Sequence, residues 1–381
     1  MTNHQSKYPL LPFSQLVYDM MRWMPGVYRF PAILRWKEGA REIDRIENAV
    51  RAALANHPVF SMKVDWRGMH YAFELKDILH GPYHDMNIYV KGDDVYIDIL
   101  ASRIQGDGKS AEILLEDIER AYNNLPLEPD DYWGYVARYE QHKSEPHYLQ
   151  SKEWLEREFV DQTVPVRPTI DRRWIATILP PKVGLYKDEY TSLHAKIERL
   201  KEEHFISYEG IFSLASTLAI AEYCGTDEAA LTWAYEGRET EDEQRIFGSL
   251  HRDIPFKINH KSPITNHKLD LIRFARNQIR SGIAHSDYPY TLTKPYSERW
   301  NYAVNVLRVP DEGSVRNLLP ASLELLPLQK QKFAYALLDV EIHESLDGLA
   351  LWYRYSATHY KESSIRRFAA LVRKYPEWLL E

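Results

Sequence analysis

The chain has 381 residues, 44% of them hydrophobic and 27% charged, with a formal net charge of -7, enough for two lobes that each bury a core. No basic stripe marks it as a nucleic-acid binder, and no apolar run reaches the about 20 residues of a bilayer crossing. The N-terminal MTNHQSKYPLLPFSQ lacks the positively charged start and long apolar stretch of a signal peptide, and Cys224 is the single cysteine, which excludes an internal disulfide and suits a reducing cytoplasm.

Ile43, Ile46, Val50 and Leu54 fall on one helical face and predict a helix over 42–54, ended by His57-Pro58. Alternation over 59–66, then Gly68 and a second run over 71–75, predicts a hairpin. Val95, Ile97 and Ile99 alternate with Tyr96, Asp98 and Leu100, the two-residue period of a strand. That pattern stops at Gly106-Asp107-Gly108, whose glycines can take the backbone angles of a tight turn. A helix follows over 109–122 with Ile113, Leu114, Ile118 and Tyr122 inward and Glu112 well placed in its first turn.

Residues 160–182 carry four prolines and little periodicity, and read as a crossover. Helices are expected over 192–204 and 208–223, the second mostly buried. A strand over 230–235 runs into Glu236-Gly237-Arg238. Strands over 340–344 and 349–355 flank Leu346-Asp347-Gly348, a hairpin signal, and a helix over 363–375 closes the chain. Strands and helices mix without strict alternation, so two-layer α/β lobes fit better than a bundle or sandwich. The expected division is an N-terminal lobe over 1–160, a linker over 161–182 and a C-terminal lobe over 183–381.

Several local signals fail. Gly108-Lys109-Ser110 has the tail of a phosphate loop, but the glycine required five residues earlier is Arg103. His80 and His84 have a helical metal-site spacing that Gly81-Pro82 interrupts. Neither GxSxG nor GxGxxG occurs, so hydrolase and dinucleotide readings lose their support. The 26 tyrosines and 10 tryptophans would suit a substrate channel, although most belong to packing.

The segment 93–123 resembles the active-site segment of nonribosomal peptide synthetase condensation domains. Other short motifs follow in that family's order: Tyr8-Pro9-Leu10 with Ser14-Gln15, then Asn56-His57-Pro58-Val59-Phe60, and aromatic stretches over 133–139 and 148–154. Cys224-Gly225-Thr226-Asp227 leads into Tyr235-Glu236-Gly237-Arg238, and Phe247-Gly248-Ser249-Leu250 into Ile254-Pro255-Phe256. The stretch 301–306 and the hairpin at Asp347-Gly348 complete the series. Arg252 stands where the family usually has Asn. The resemblance implies an α/β fold of two chloramphenicol acetyltransferase-like lobes, a V-shaped pseudo-dimer with a central tunnel. It implies no bound cofactor of the domain's own. Substrates would arrive on phosphopantetheine arms of peptidyl or acyl carrier proteins, and an acyl donor would be joined to an amine.

The family motif is two histidines, three spacers and Asp-Gly, the second histidine being the base. Ser102 and Arg103 occupy the histidine positions, ahead of Asp107 and Gly108. A neutral imidazole can take a proton from the attacking amine; a guanidinium keeps its own proton. Arg103 could still stabilise an oxyanion, an effect worth about 3 kcal/mol in related chemistries, and a weakly basic aminoacyl thioester amine can lose protons to solvent. No histidine stands at a spacing that would activate Ser102. The resemblance pairs Asp107 with an arginine of the second lobe, matched by Arg238, and places His251, Arg252 and Asn305 near the tunnel. His251 reads either as a substitute base or as a hydrogen-bonded structural residue. Three functions stay open: altered condensation, a noncatalytic module that recruits carrier proteins or tailoring enzymes, and a standalone acyltransferase using a soluble thioester. A chain from Met1 to just past the last helix suits a separate protein and a synthetase domain alike.

Overall fold

The computed structural model describes residues 7–23, 29–159, 164–172, 182–259, 267–290, 304–309, 323–326, 337–345 and 348–381. In chain order the elements are β1 (Tyr8–Pro9), α1 (Pro12–Trp23), β2 (Arg29–Trp36), α2 (Ile43–Asn56), β3 (Met62–Val64), β4 (Met69–Ala72), β5 (His84–Lys91), β6 (Asp94–Ser102), α3 (Gly108–Tyr122), α4 (Tyr132–His142) and α5 (Pro146–Phe159). Then come β7 (Val183–Glu189), α6 (Thr191–His204), α7 (Tyr208–Cys224), β8 (Glu228–Tyr235), α8 (Glu241–Gln244), β9 (Arg252–Asn259) and α9 (Lys268–Ala284). The last are β10 (Asn305–Val309), β11 (Leu323–Leu325), β12 (Leu338–Ser345), β13 (Gly348–Ser356) and α10 (Glu362–Leu380).

These elements form two compact α/β units. The first comprises Met1–His142, Glu236–His251 and Glu312–Gln331. It holds an antiparallel sheet in the order β11-β2-β6-β5 and a small sheet β1-β4-β3. Val95 and Ile97 of β6 are fully buried and face Trp36 and Leu34 across the register with β2. Helix α2 buries Ile46, Val50 and Leu54 and packs against α3. It stops where Pro58 cannot continue the ladder. That proline starts a 3-10 turn over Pro58–Ser61, so β3 begins only at Met62 rather than at Val59.

The second unit comprises Lys143–Tyr235, Arg252–Asp311 and Lys332–Glu381. Its six-stranded sheet runs β7-β13-β12-β10-β8-β9, with β10 parallel to both β8 and β12. Helix α7 is apolar around most of its circumference and is buried from Gly210 to Ala221, in one core with α6, α9, α10 and the sheet.

A single cut near residue 160 does not reproduce this division. Leu155 and Phe159 of α5 pack with Val164, Val166, Ala230 and Tyr290, which puts α5 in the second unit. In the other direction, the long connection between β8 and β9, here called the strap (236–251), belongs to the first unit, as does β11 through its pairing with β2. The turn at Leu346-Asp347, part of the 160–182 crossover and residues 301–303 lie outside the described residues. Among the described residues no helix is long and apolar enough to cross a membrane.

Candidate functional site

Strand β6 ends at Ser102, and the six residues after it deliver the motif. Ser102 is 2% exposed. Its hydroxyl donates to Met21 Sδ at 3.2 Å and accepts from the Ile104 amide at 3.3 Å. Ile104 is buried, and its carbonyl accepts from Ser14 Oγ at 3.0 Å. Gln105 is buried too, donating to the Val59 carbonyl at 3.0 Å with its Nε2 3.1 Å from His84 Nδ1. With its neighbours so fixed, Arg103 carries its guanidinium to the ring of Phe13, Cζ 5.6 Å from the centroid. The same ring lies 3.7 Å from that of His251. Arg103 and His251 thus share an aromatic neighbour.

Asp107 caps the N-terminus of α3. Its Oδ1 accepts from the Ser110 amide at 3.1 Å, from the Ser110 hydroxyl at 3.0 Å and from Arg238 Nη2 at 3.1 Å. Its Oδ2 accepts from Arg238 Nη1 at 2.9 Å and from the amides of Leu250 at 2.9 Å and His251 at 3.2 Å. The Arg238 and Asp107 side chains are 0% and 5% exposed. Burial pushes the Asp107 carboxyl up, but the charge and hydrogen bonds of Arg238 outweigh it and hold the group below its ordinary value. Arg238 also donates to the carbonyls of Ile246 and Gly248, both at 3.1 Å. Such a pair is restrictive, because a planar fork meets a carboxylate in few ways.

The strap is the source of these partners, so Arg238 reaches Asp107 from within the first unit rather than from a second lobe. Ser110 completes the joint: its Oγ accepts from the Gly248 amide at 3.1 Å and lies 2.9 Å from the Gly248 carbonyl. Read from sequence as the tail of a failed phosphate loop, Ser110 belongs to the carboxylate's own ligand set. Asp-x-x-Ser ahead of an apolar run is the signal that could have found it.

The turn glycines act differently from the expectation. Neither Gly106 nor Gly108 is among the positive-φ glycines. A Cβ on Gly106 would stand 2.8 Å from Ser110 Cβ and 3.0 Å from Phe247 Cε1, whereas one on Gly108 meets nothing within 4 Å. Gly106 is therefore required for close approach, and Gly108 simply opens the helix.

Ser102, Arg103, Asp107, Gly108, Arg238 and His251 are brought together in the first unit. Arg252 and Asn305 belong to the second, where Arg252 donates to Ser286 Oγ at 2.8 Å and Asn305 Oδ1 accepts from Thr232 Oγ1 at 3.3 Å. His80 and His84 do not converge on a metal: His80 Nδ1 lies 2.5 Å from Asp85, and His84 Nε2 lies 2.8 Å from the Ile78 carbonyl.

Solved structures share this architecture over nearly the whole chain. The X-domain from teicoplanin biosynthesis matches with a TM-score of 0.79 at 14% identity, over 100% of this chain and 96% of that one. The condensation domain from Monacolin K polyketide synthase MokA matches at 0.77 and 12%, over 99% and 98%. The epimerization domain from the third module of tyrocidine synthetase B matches at 0.76 and 14%, over 99% and 97%. The fold is thus that of the condensation-type domains. Residues 104–377 match the family described as Condensation domain, and the chain belongs to that family. A stretch of 159 residues is 27% identical to Nonribosomal peptide synthetase 5 of Gibberella zeae, covering 42% of this chain but 1% of that far longer protein.

Proposed function

We propose that this protein is a condensation-domain relative of nonribosomal peptide assembly that binds carrier proteins while its amide-forming chemistry is lost at the motif. One observation carries this reading: the base position holds a guanidinium and its neighbour holds a serine hydroxyl tied into the interior, while the Asp107–Arg238 joint beside them is complete. Neither side chain can accept a proton from an amine at neutral pH. The partners are peptidyl or acyl carrier proteins presenting substrates on phosphopantetheine arms, with no cofactor of the domain's own. A tailoring enzyme is a further candidate partner, in keeping with the fold of the teicoplanin X-domain, which was also solved as a complex with OxyB.

The ring of His251 beside Phe13 and Arg103 supports one rival reading, altered condensation with His251 as base and Arg103 as oxyanion partner. Calorimetric titration with a phosphopantetheinylated carrier protein, followed by mass spectrometry of the mixture after adding an aminoacyl carrier, separates the two. Binding without amide product is the expected result; product that disappears in His251→Ala would establish the rival. A parallel arm with acyl coenzyme A and free amine tests the standalone acyltransferase, for which product without any carrier protein would be decisive.

A further inference from the structure

The strap is fastened to the first unit at a second buried carboxylate, distinct from Asp107. His57, at the C-cap of α2, is 1% exposed and lies with its ring 4.7 Å from that of Phe247. Its Nδ1 is 2.9 Å from Asp130 Oδ2 and its Nε2 is 3.2 Å from Asp117 Oδ2; the first contact is a hydrogen bond, the second an ion pair of poorer alignment. The carboxylates are 0% and 3% exposed. Asp130 Oδ2 also accepts the Phe247 amide of the strap at 3.3 Å, and Asp117 Oδ2 accepts Asn56 Nδ2 at 3.0 Å.

Both ring nitrogens face carboxylate oxygens. A neutral imidazole has one N–H and one lone pair, so either tautomer would leave a lone pair beside a buried carboxylate within 3.2 Å. An imidazolium places a positive charge between the two carboxylates, hydrogen-bonded to Asp130 and in ion-pair contact with Asp117.

We propose that protonated His57 is a pH-dependent clasp for the strap, holding Asp130 where it receives the Phe247 amide, so that loss of its proton frees the strap at Phe247. This rests on the first unit's geometry and not on the functional reading above. The charged groups facing His57 are Asp117 from α3 and Asp130 from the segment before α4. Beyond Asp130 stand Tyr132 and His70, with Tyr132 Oη 3.1 Å from His70 Nε2. Burial, reinforced by the Asp130 charge, holds the Tyr132 phenol well above its ordinary value, and burial lowers His70 to about 4, so both are neutral between mild acid and mild alkali.

Burial pulls His57 down, but the hydrogen bonds and charges of Asp117 and Asp130 outweigh it, and the group lies above its ordinary value. Burial raises Asp130, so the cluster as a whole binds its proton more tightly than the unfolded chain does. For a raised histidine, the stabilisation is complete below the unfolded value of about 6.5 and is lost as pH rises through the folded value.

Amide hydrogen exchange, corrected for the intrinsic pH dependence of exchange, tests the clasp. From pH 6 to 9.5, protection of the Phe247 amide of the strap, which donates to Asp130, should fall severalfold, while amides of α7 stay constant. His57→Gln and Asp130→Asn should each remove the alkaline fall. Equal behaviour of strap and α7 in the unaltered protein would overturn the proposal, as would an unchanged profile in either variant. Should a variant fold poorly, nuclear magnetic resonance of the His57 ring in the unaltered protein decides: an imidazolium at pH 7 supports the clasp, and a neutral ring refutes it.

Discussion

The strap and helix α7 are both packed into their units, and they differ in how much formal charge joins the apolar packing. Helix α7 buries its own Phe212, Leu214 and Leu218 in an apolar core with residues such as Leu271, Val340 and Phe368, and its Thr217 hydroxyl donates to its own helix, to the Ser213 carbonyl at 2.6 Å. The strap buries Ile246, Phe247 and Leu250 but adds formal charge at three points: Arg238 on Asp107, Asp130, beside His57, on the Phe247 amide, and Arg245 on Glu116 and Glu128 nearer the surface. Apolar packing weakens by degrees when trimmed and is indifferent to protons. A buried ion pair is all or none, because removing one partner strands the other.

The largest effect should therefore come from Asp107→Ala, which leaves Arg238 buried without its carboxylate and costs about 3–5 kcal/mol. Leu218→Ala in α7 costs about 2–5 kcal/mol, as cavity formation does. Denaturant unfolding distinguishes the two by pH. Since Asp107 is held below its ordinary value, its contribution is complete above the unfolded carboxyl pKa of about 3.9 and is lost as pH falls further. The Asp107→Ala variant should lack that acid-labile part, and the Leu218→Ala variant should keep it. Asp107→Ala with unaltered stability would contradict the scaffold role of the pair.

A middle-sized effect separates the two motif glycines. Gly106→Ala presses a methyl against Ser110 and Phe247, for about 1–3 kcal/mol. Gly108→Ala has open space and no positive φ, and should be neutral or stabilising by about 0.4–1 kcal/mol. Thermal melts of the two variants give the order directly; a loss at Gly108 exceeding that at Gly106 would mean that the turn itself demands glycine at 108. The smallest effect belongs to Arg245→Ala. The side chains of Arg245, Glu116 and Glu128 are 27%, 40% and 46% exposed, so water screens the network and the cost stays within about 1 kcal/mol, shrinking further in 1 M salt.

Local patterns in the chain carry the elements, and long-range joints escape them. Strand β6 is legible in the alternation of Val95 and Ile97, and α7 in its apolar run, since each is dictated by which faces meet the core. Helix α5 breaks the rule of cutting at the proline-rich stretch: Leu155 and Phe159 point to partners far along the chain. The strap is similar. Sequence spacing gives Arg238 and His251 no reason to approach Asp107; only the resemblance to a family implies it. Asp130 lies 73 residues after His57, with Asp117 between them in the chain, and no periodicity joins a C-cap histidine to two aspartates. At Gly108 the glycine pattern misled, because a residue opening a helix needs no special angles.

The motif thus divides into a buried joint, Asp107 with Arg238, and the pair Ser102 and Arg103, where the proposed function entails the loss of a base. The most direct test is a single-turnover assay with acyl- and aminoacyl-loaded carrier proteins, comparing the unaltered protein with Arg103→His and counting amide product by mass spectrometry. No product above the uncatalysed background is expected from the unaltered protein. Product from it at a rate equal to or above that of Arg103→His would show that the guanidinium position still supports the chemistry, and would contradict the loss.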